Sequence, residues 1–115
     1  MVYLTLLTCV YAGNILLLVK IIPEPLSFEW DSGNLDKNLK KHNVSCQEAE
    51  EVFVNQPLLI IEDNKHSKDE KRFYALGRNN GNRYLFLSIT IRNQKVRIIS
   101  IRDMSKKEKK EYEKY

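Results

Sequence analysis

The chain has 115 residues, with 19 Lys and Arg against 15 Asp and Glu and a formal net charge of +4. That length holds one domain with a single core, enough for a sheet and a few helices. Its two cysteines, Cys9 and Cys46, make no disulfide framework and join no set with zinc-ligand spacing, so a reducing compartment and no metal or other cofactor are expected.

Residues 1–22, MVYLTLLTCVYAGNILLLVKII, are apolar and uncharged until Lys20. The run approaches the length of a membrane span. A secretory signal would open with positive charge, and this one does not. The expected reading is a start assigned too far upstream, with initiation within 16–22. A membrane anchor, or an extra strand or helix, is the alternative. Pro23-Glu24-Pro25 is a stiff break, because each proline fixes its own φ and restricts the residue before it. It divides the chain into an extension, 1–24, and a domain, 25–115.

Leu26 to Trp30 reads as the first strand, with Trp30 in the core. Asp31 caps a helix that carries Leu35, Leu39 and His42 on one side and breaks near Asn43. Ser45-Cys46-Gln47-Glu48 is a capping box that opens a second helix, with Ala49, Val52 and Phe53 as its apolar face. Pro57 precedes a short strand, Leu58 to Glu62, and the polar stretch Asp63 to Lys71 is a loop. Arg72 to Arg78 is a strand. Asn79-Asn80-Gly81-Asn82 is a turn, with Asn and Gly supplying positive φ. In Tyr84 to Arg92, Leu85, Leu87, Ile89 and Ile91 share one face, and Tyr84, Phe86, Ser88, Thr90 and Arg92 the other. Asn93-Gln94 turns the chain into a last strand, Lys95 to Arg102, whose Ile98-Ile99 run predicts burial on both faces. These three strands form an antiparallel meander. Ser105-Lys106-Lys107-Glu108 is a second capping box, opening a C-terminal helix too polar to stand alone. It must dock through Tyr112 or order against a partner.

Charge is uneven. Residues 78–102 hold Arg78, Arg83, Arg92, Lys95, Arg97 and Arg102 and no acid, which favours a polyanion partner over an ordinary solvated strand face. Several other chemistries lack their parts: none of the four glycines lies in a phosphate-loop or dinucleotide pattern, no G-x-S-x-G elbow occurs, and the acids are not focused as a two-metal site needs.

A resemblance runs through residues 26–114. Phe28-Glu29-Trp30-Asp31, Asn38, Lys40-Lys41-His42, Val44-Ser45, Glu48-Ala49 and Val52-Phe53 are followed by Asp63-x-x-His66-Ser67 and Glu70-x-Arg72-Phe73. Gly77, Gly81-x-Arg83-x-Leu85, Arg97-Ile98-Ile99-Ser100-x-Arg102 and Glu108 to Tyr112 complete the series. In order and spacing these pieces resemble the BrnT family, toxins of bacterial type II toxin–antitoxin pairs. Asn34 replaces the family's usual Lys, Asn43 its usual Gly, and Ile101 and Met104 its small residues. The resemblance implies an α+β, RelE-like fold: a curved antiparallel sheet with two helices on one side and a third at the C-terminus. It implies an endoribonuclease that stops translation in the cytoplasm. The implied partner is a BrnA-like antitoxin that blocks the site and carries a DNA-binding domain; a membrane partner is not expected.

Metal-free RNA cleavage needs a base for the ribose 2′-hydroxyl, cations for the phosphate and an acid for the leaving 5′-oxygen. Arg suits the phosphate, and His the proton transfers. Among the segments that resemble the family, His42 is the first candidate for proton transfer or phosphate orientation; its structural alternative is capping helix carbonyls. Arg97 and Arg102 are the favoured phosphate-binding residues, because they match the motif before the last helix. Lys41, Arg72, Arg83 and Tyr112 are candidate RNA contacts. Their alternatives are a solvated lysine for Lys41, an ion pair with Glu62 or Asp63 for Arg72, and a helix anchor for Tyr112. His66 is either catalytic or a loop hydrogen bond. Rival classes are a non-catalytic RNA- or protein-binding module (an inactivated toxin), a membrane-tethered protein, and a DNA-binding repressor. The last is disfavoured because the second helix is acidic.

Overall fold

A computed structural model describes residues 2–5, 10–12, 15–17, 22–23, 25–30, 33, 37 and 40–115. Strands β1 (Val2–Thr5), β2 (Val10–Ala12) and β3 (Ile15–Leu17) come first, then the short β4 (Phe28–Glu29). Residues 33, 37 and 40–42 are helical. Helix α1 (Cys46–Val52) leads to β5 (Leu58–Glu62), a 3-10 turn (Asn64–His66), β6 (Arg72–Arg78), β7 (Tyr84–Arg92), β8 (Lys95–Asp103) and helix α2 (Lys106–Tyr112). The Asp31 cap, Asn34 and the Leu35–Leu39 stripe lie outside the described residues.

The main sheet has six strands in the order β1-β5-β6-β7-β8-β4; β2 and β3 pair separately. The architecture is α+β, but the sheet is mixed rather than antiparallel, because β4 runs parallel to β8. The reason is topological. The chain leaves β4, crosses through helix to β5 near the opposite edge, and returns through three antiparallel steps, which bring β8 alongside β4 in the same direction. The meander therefore includes β5 as well as the three strands expected. The first strand is shorter than Leu26 to Trp30, and the last runs one residue further, to Asp103.

Both capping boxes form. The Ser45 and Ser105 hydroxyls accept the amides of Glu48 and Glu108, and each Glu side chain reaches back to its cap. Asn43 takes φ 54° and ends the first helical segment, a conformation open to Asn at low cost. In the first hairpin Asn82, not Gly81, takes the positive φ of 63°. The Asn79 side chain accepts the amides of Gly81 and Arg83 and holds that turn. Asn93 and Gln94 are both left-handed, at φ 52° and 59°, as a two-residue hairpin needs.

Alternation divides the sheet into two faces. Leu58, Ile60, Phe73, Ala75, Leu85, Leu87, Ile89, Val96, Ile98 and Ile101 pack with Ala49 and Val52 of α1 and with Val44; Trp30 lies against them. Each fully buried Val, Leu or Ile contributes about 1.5–3 kcal/mol. On the reverse face α2 docks by Tyr112, which is 3% exposed, over Leu59 and Leu76. One irregularity sets which residues of β8 share the reverse face. Ile89 pairs with Ile98 but Ser88 with Ser100, so Ile99 is an extra residue, a β-bulge. The Ile98-Ile99 run therefore marks a change of phase, not burial on both faces: Ile98 and Ile101 both reach the main core, and Ile99 is only half-buried.

Candidate active site on the open face of the sheet

The bulge decides where the arginines point. In a regular strand, Arg97 and Arg102, an odd number of positions apart, would face opposite ways. The extra residue brings both onto the face opposite the main core. Register arranges that face in rows. Arg72 lies opposite Thr90, Thr90 opposite Arg97, and Arg97 opposite Glu29. The next row is Tyr74, Ser88 and Ser100; beyond it lie Leu76, Phe86 and Arg102. The half-buried Ser88 and Ser100 thus lie between guanidinium groups and two aromatic rings, while Thr90 is buried and its hydroxyl donates to the Lys71 carbonyl at 2.8 Å. At strand spacings near 4.8 Å, Arg72 and Arg97 stand about 10 Å apart at the backbone, close enough for their long side chains to approach one ligand.

Each arginine has its own setting. The Arg97 guanidinium meets Glu29 at 2.8 Å. Arg102 grips Glu108 through two bonds, at 2.8 and 2.9 Å, and lies 4.0 Å above the Phe86 ring centre. The Glu108 fork holds the Arg102 pKa above its ordinary value, and the Arg102 fork holds the Glu108 carboxyl below its own. Arg72 forms no side-chain ion pair among the described residues; Glu62 is taken by Lys71, and Asp63 by His66.

Beside Arg72 a cleft of about 860 Å³ is lined by Lys65, His66, Lys68, Arg72 and Arg92, with Asp69 and Glu70 as its acids. Behind His66, Asp63 is 4% exposed and accepts from the His66 ring Nδ1 at 2.8 Å and from the His66 amide. Burial pushes the Asp63 carboxyl up, but hydrogen bonds from His66 and Tyr74 outweigh it, so its pKa is lowered and the group is ionised at neutral pH. Tyr74 is raised, first by burial and then by the Asp63 carboxylate it faces. Tyr74 also stacks near Phe86, with ring centres 4.9 Å apart.

The other candidates lie elsewhere. Arg83 follows the first hairpin and reaches the opposite side. Its fork donates to Asp103 at 2.7 and 3.0 Å, to Glu48 at 3.3 Å, and to the His42 and Asn43 carbonyls, each at 2.9 Å. His42 is half-buried near Asp103, which pairs with the core residue Leu85, so it lies across the sheet from Arg102. Lys41 is exposed on the helical stretch beside it. Tyr112 is the anchor of α2: its hydroxyl donates to the Pro57 carbonyl and its ring meets Tyr84 at 5.2 Å. The structure therefore brings together Arg72, Arg97 and Arg102, and not His42, Lys41, Arg83 or Tyr112. Sequence reasoning passed over Tyr74, Ser88, Ser100 and Asp63 as members of this face. Alternation in β6 and β7 already puts Tyr74 and Ser88 opposite the core; Ser100 joins them only through the bulge. Among the described residues no three His, Cys, Asp or Glu side chains gather as metal ligands, and no helix is long and apolar enough to cross a membrane.

An α+β domain that buries one sheet face under a helix and borders the other with arginines has the build of a polyanion-binding protein. The profile of the family described as the ribonuclease toxin BrnT of type II toxin–antitoxin systems matches residues 30–108. The chain belongs to that family, so it is a ribonuclease toxin, with RNA as its substrate and an antitoxin as its partner. No curated protein matches it.

Proposed function

We propose that the protein is a metal-independent endoribonuclease that binds RNA across the open sheet face and cleaves it through the ribose 2′-hydroxyl. The observation that carries this reading is the bulge-made placement of Arg97 and Arg102 on the same sheet face as Arg72, with Ser88 and Ser100 between them. Guanidinium forks bind two phosphate oxygens at once and keep their charge, so they stabilise a phosphorane without a metal. Glu29 and Glu108 hold two of those forks in place before RNA arrives, and phosphate oxygens compete with them. Attack by the 2′-oxygen leaves a 2′,3′-cyclic phosphate and a 5′-hydroxyl, and DNA, lacking that oxygen, resists.

The reading extends to the protein's surroundings. The fold is RelE-like, 25–115 is the toxin domain, and RNA cleavage in the cytoplasm stops translation. The antitoxin is BrnA-like, covers the arginine face and carries the DNA-binding domain. The test incubates the full chain with a defined single-stranded RNA and its DNA copy in EDTA, beside Arg97→Ala plus Arg102→Ala. RNA-only cleavage that is insensitive to EDTA and lost in the folded double variant is expected. A folded wild type that binds RNA without cutting it, or cuts only with added divalent metal, overturns the reading. Cleavage retained in the double variant keeps the enzyme and removes these two arginines from its site.

A further inference from the structure

We infer that His66, held by Asp63, is the general base that takes the 2′-hydroxyl proton, with Arg72 beside it as the cation for the scissile phosphate; this rests on the ribonuclease reading above. The geometry is that of an oriented imidazole. Asp63 is 4% exposed and meets Nδ1 at 2.8 Å, while the His66 side chain is 52% exposed and lines the cleft. An ionised carboxylate accepts a proton-bearing Nδ1, so neutral His66 carries its lone pair on Nε2. That nitrogen has no partner among the described residues. A buried carboxylate behind an imidazole fixes its tautomer and stabilises the imidazolium that forms during proton transfer.

Asp63 is itself held. Its carboxylate also takes the His66 amide, its backbone carbonyl accepts the Ser67 hydroxyl, and Ser67 in turn accepts the Arg72 amide at 2.9 Å. The same short loop therefore positions the imidazole and starts the strand that carries Arg72. Arg92 is gripped by both Glu70 oxygens, at 3.0 and 3.1 Å, which leaves Arg72 as the lining guanidinium with no ion pair among the described residues. Arg72 is also the first residue of the Arg72–Thr90–Arg97 row, so the cleft and the face proposed to bind RNA share this arginine.

The step balances as follows. Nε2 takes the 2′-hydroxyl proton as the 2′-oxygen bonds to phosphorus. The bond from phosphorus to the 5′-oxygen breaks, and that oxygen takes a proton from water. The imidazolium then returns its proton to solvent. Asp63 is a positioning residue and touches no substrate.

The experiment uses the full chain with single-stranded RNA, comparing wild type, His66→Ala, His66→Gln and Asp63→Asn from pH 5 to 9. Thermal melts monitor folding. Loss of the His66 ring takes a donor from the buried Asp63 carboxylate, so the His66 variants should melt lower than wild type, and all rates are compared well below their transitions. Their single-turnover rates should fall by about 100-fold or more, with KM within about threefold, since a positioned base contributes about 10²–10⁴. The acidic limb of the pH–rate profile should vanish, and added imidazole should restore part of the rate to His66→Ala. The groups around His66 are Asp63, Lys65, Lys68, Asp69, Glu70, Arg72 and Arg92. Asp63→Asn should lower the single-turnover rate of folded protein with KM within about threefold; a merely structural role would change stability and leave that rate in place. If Asp63→Asn fails to fold, the two His66 variants decide alone. His66→Ala that is folded and cleaves within threefold of wild type, with the same profile, overturns the assignment and leaves the ribonuclease reading standing. A wild type that cuts no RNA removes both.

Discussion

Arg83→Met separates a structural arginine from an RNA-binding one. The substitution keeps most of the stem and deletes the guanidinium, which ties the start of β7 to Asp103, to Glu48 and to the His42 and Asn43 carbonyls at the helix break. Arg83 is 29% exposed and Asp103 61%, so solvent screens their ion pair to about 0.5–1 kcal/mol. The two carbonyls lose a charged donor, at about 1 kcal/mol each. The total is about 3 kcal/mol. Unfolding entropy near 2.1 cal/mol/K per residue turns that into a fall of about 12 °C in Tm for this chain. Arg83→Lys, which keeps the charge but not the fork, should fall between. The assay is a thermal melt, followed by RNA cleavage well below the transition. The expected result is a large loss of Tm with the cleavage rate of folded protein within about threefold of wild type. An unchanged Tm with cleavage lost more than about tenfold would refute this account and make Arg83 an RNA contact.

Two further perturbations test the packing and the electrostatics. A Cβ added at Gly77 would lie 2.5 Å from Val52 Cγ1, and Val52 is buried and stiff at χ1, so Gly77→Ala should cost about 1–3 kcal/mol in urea unfolding, with partial recovery in the Gly77→Ala, Val52→Ala pair. Glu108 is held below its ordinary value of 4.5 by Arg102, so its contribution to stability is complete above that value and is lost as pH falls through the lowered one. Wild type should therefore lose more Tm than Glu108→Gln between about pH 5 and 3; equal losses would show that the Arg102–Glu108 pair contributes nothing to stability.

What the sequence determined is what short-range chemistry controls. The two Ser-x-x-Glu boxes, the alternation in β7, the Asn93-Gln94 hairpin and the bounds of β5, β6 and β7 are local matters of hydrogen bonding and side-chain period, and each is present as read. The ordered motifs that resemble the BrnT family are likewise a property of the string. Tertiary structure alone decided the rest. The direction of β4 follows from how many strands the chain lays down before β8 returns beside it, which no window of residues records. The bulge at Ile99 exists only against Ser88 and Ile89 of the neighbouring strand, and it places Arg97 and Arg102 on one face. Arg83 and Arg102 look alike in the acid-free run 78–102. They differ because folding sets Asp103, Glu48 and two helix-end carbonyls around the first, and the open sheet face, Phe86 and Glu108 around the second.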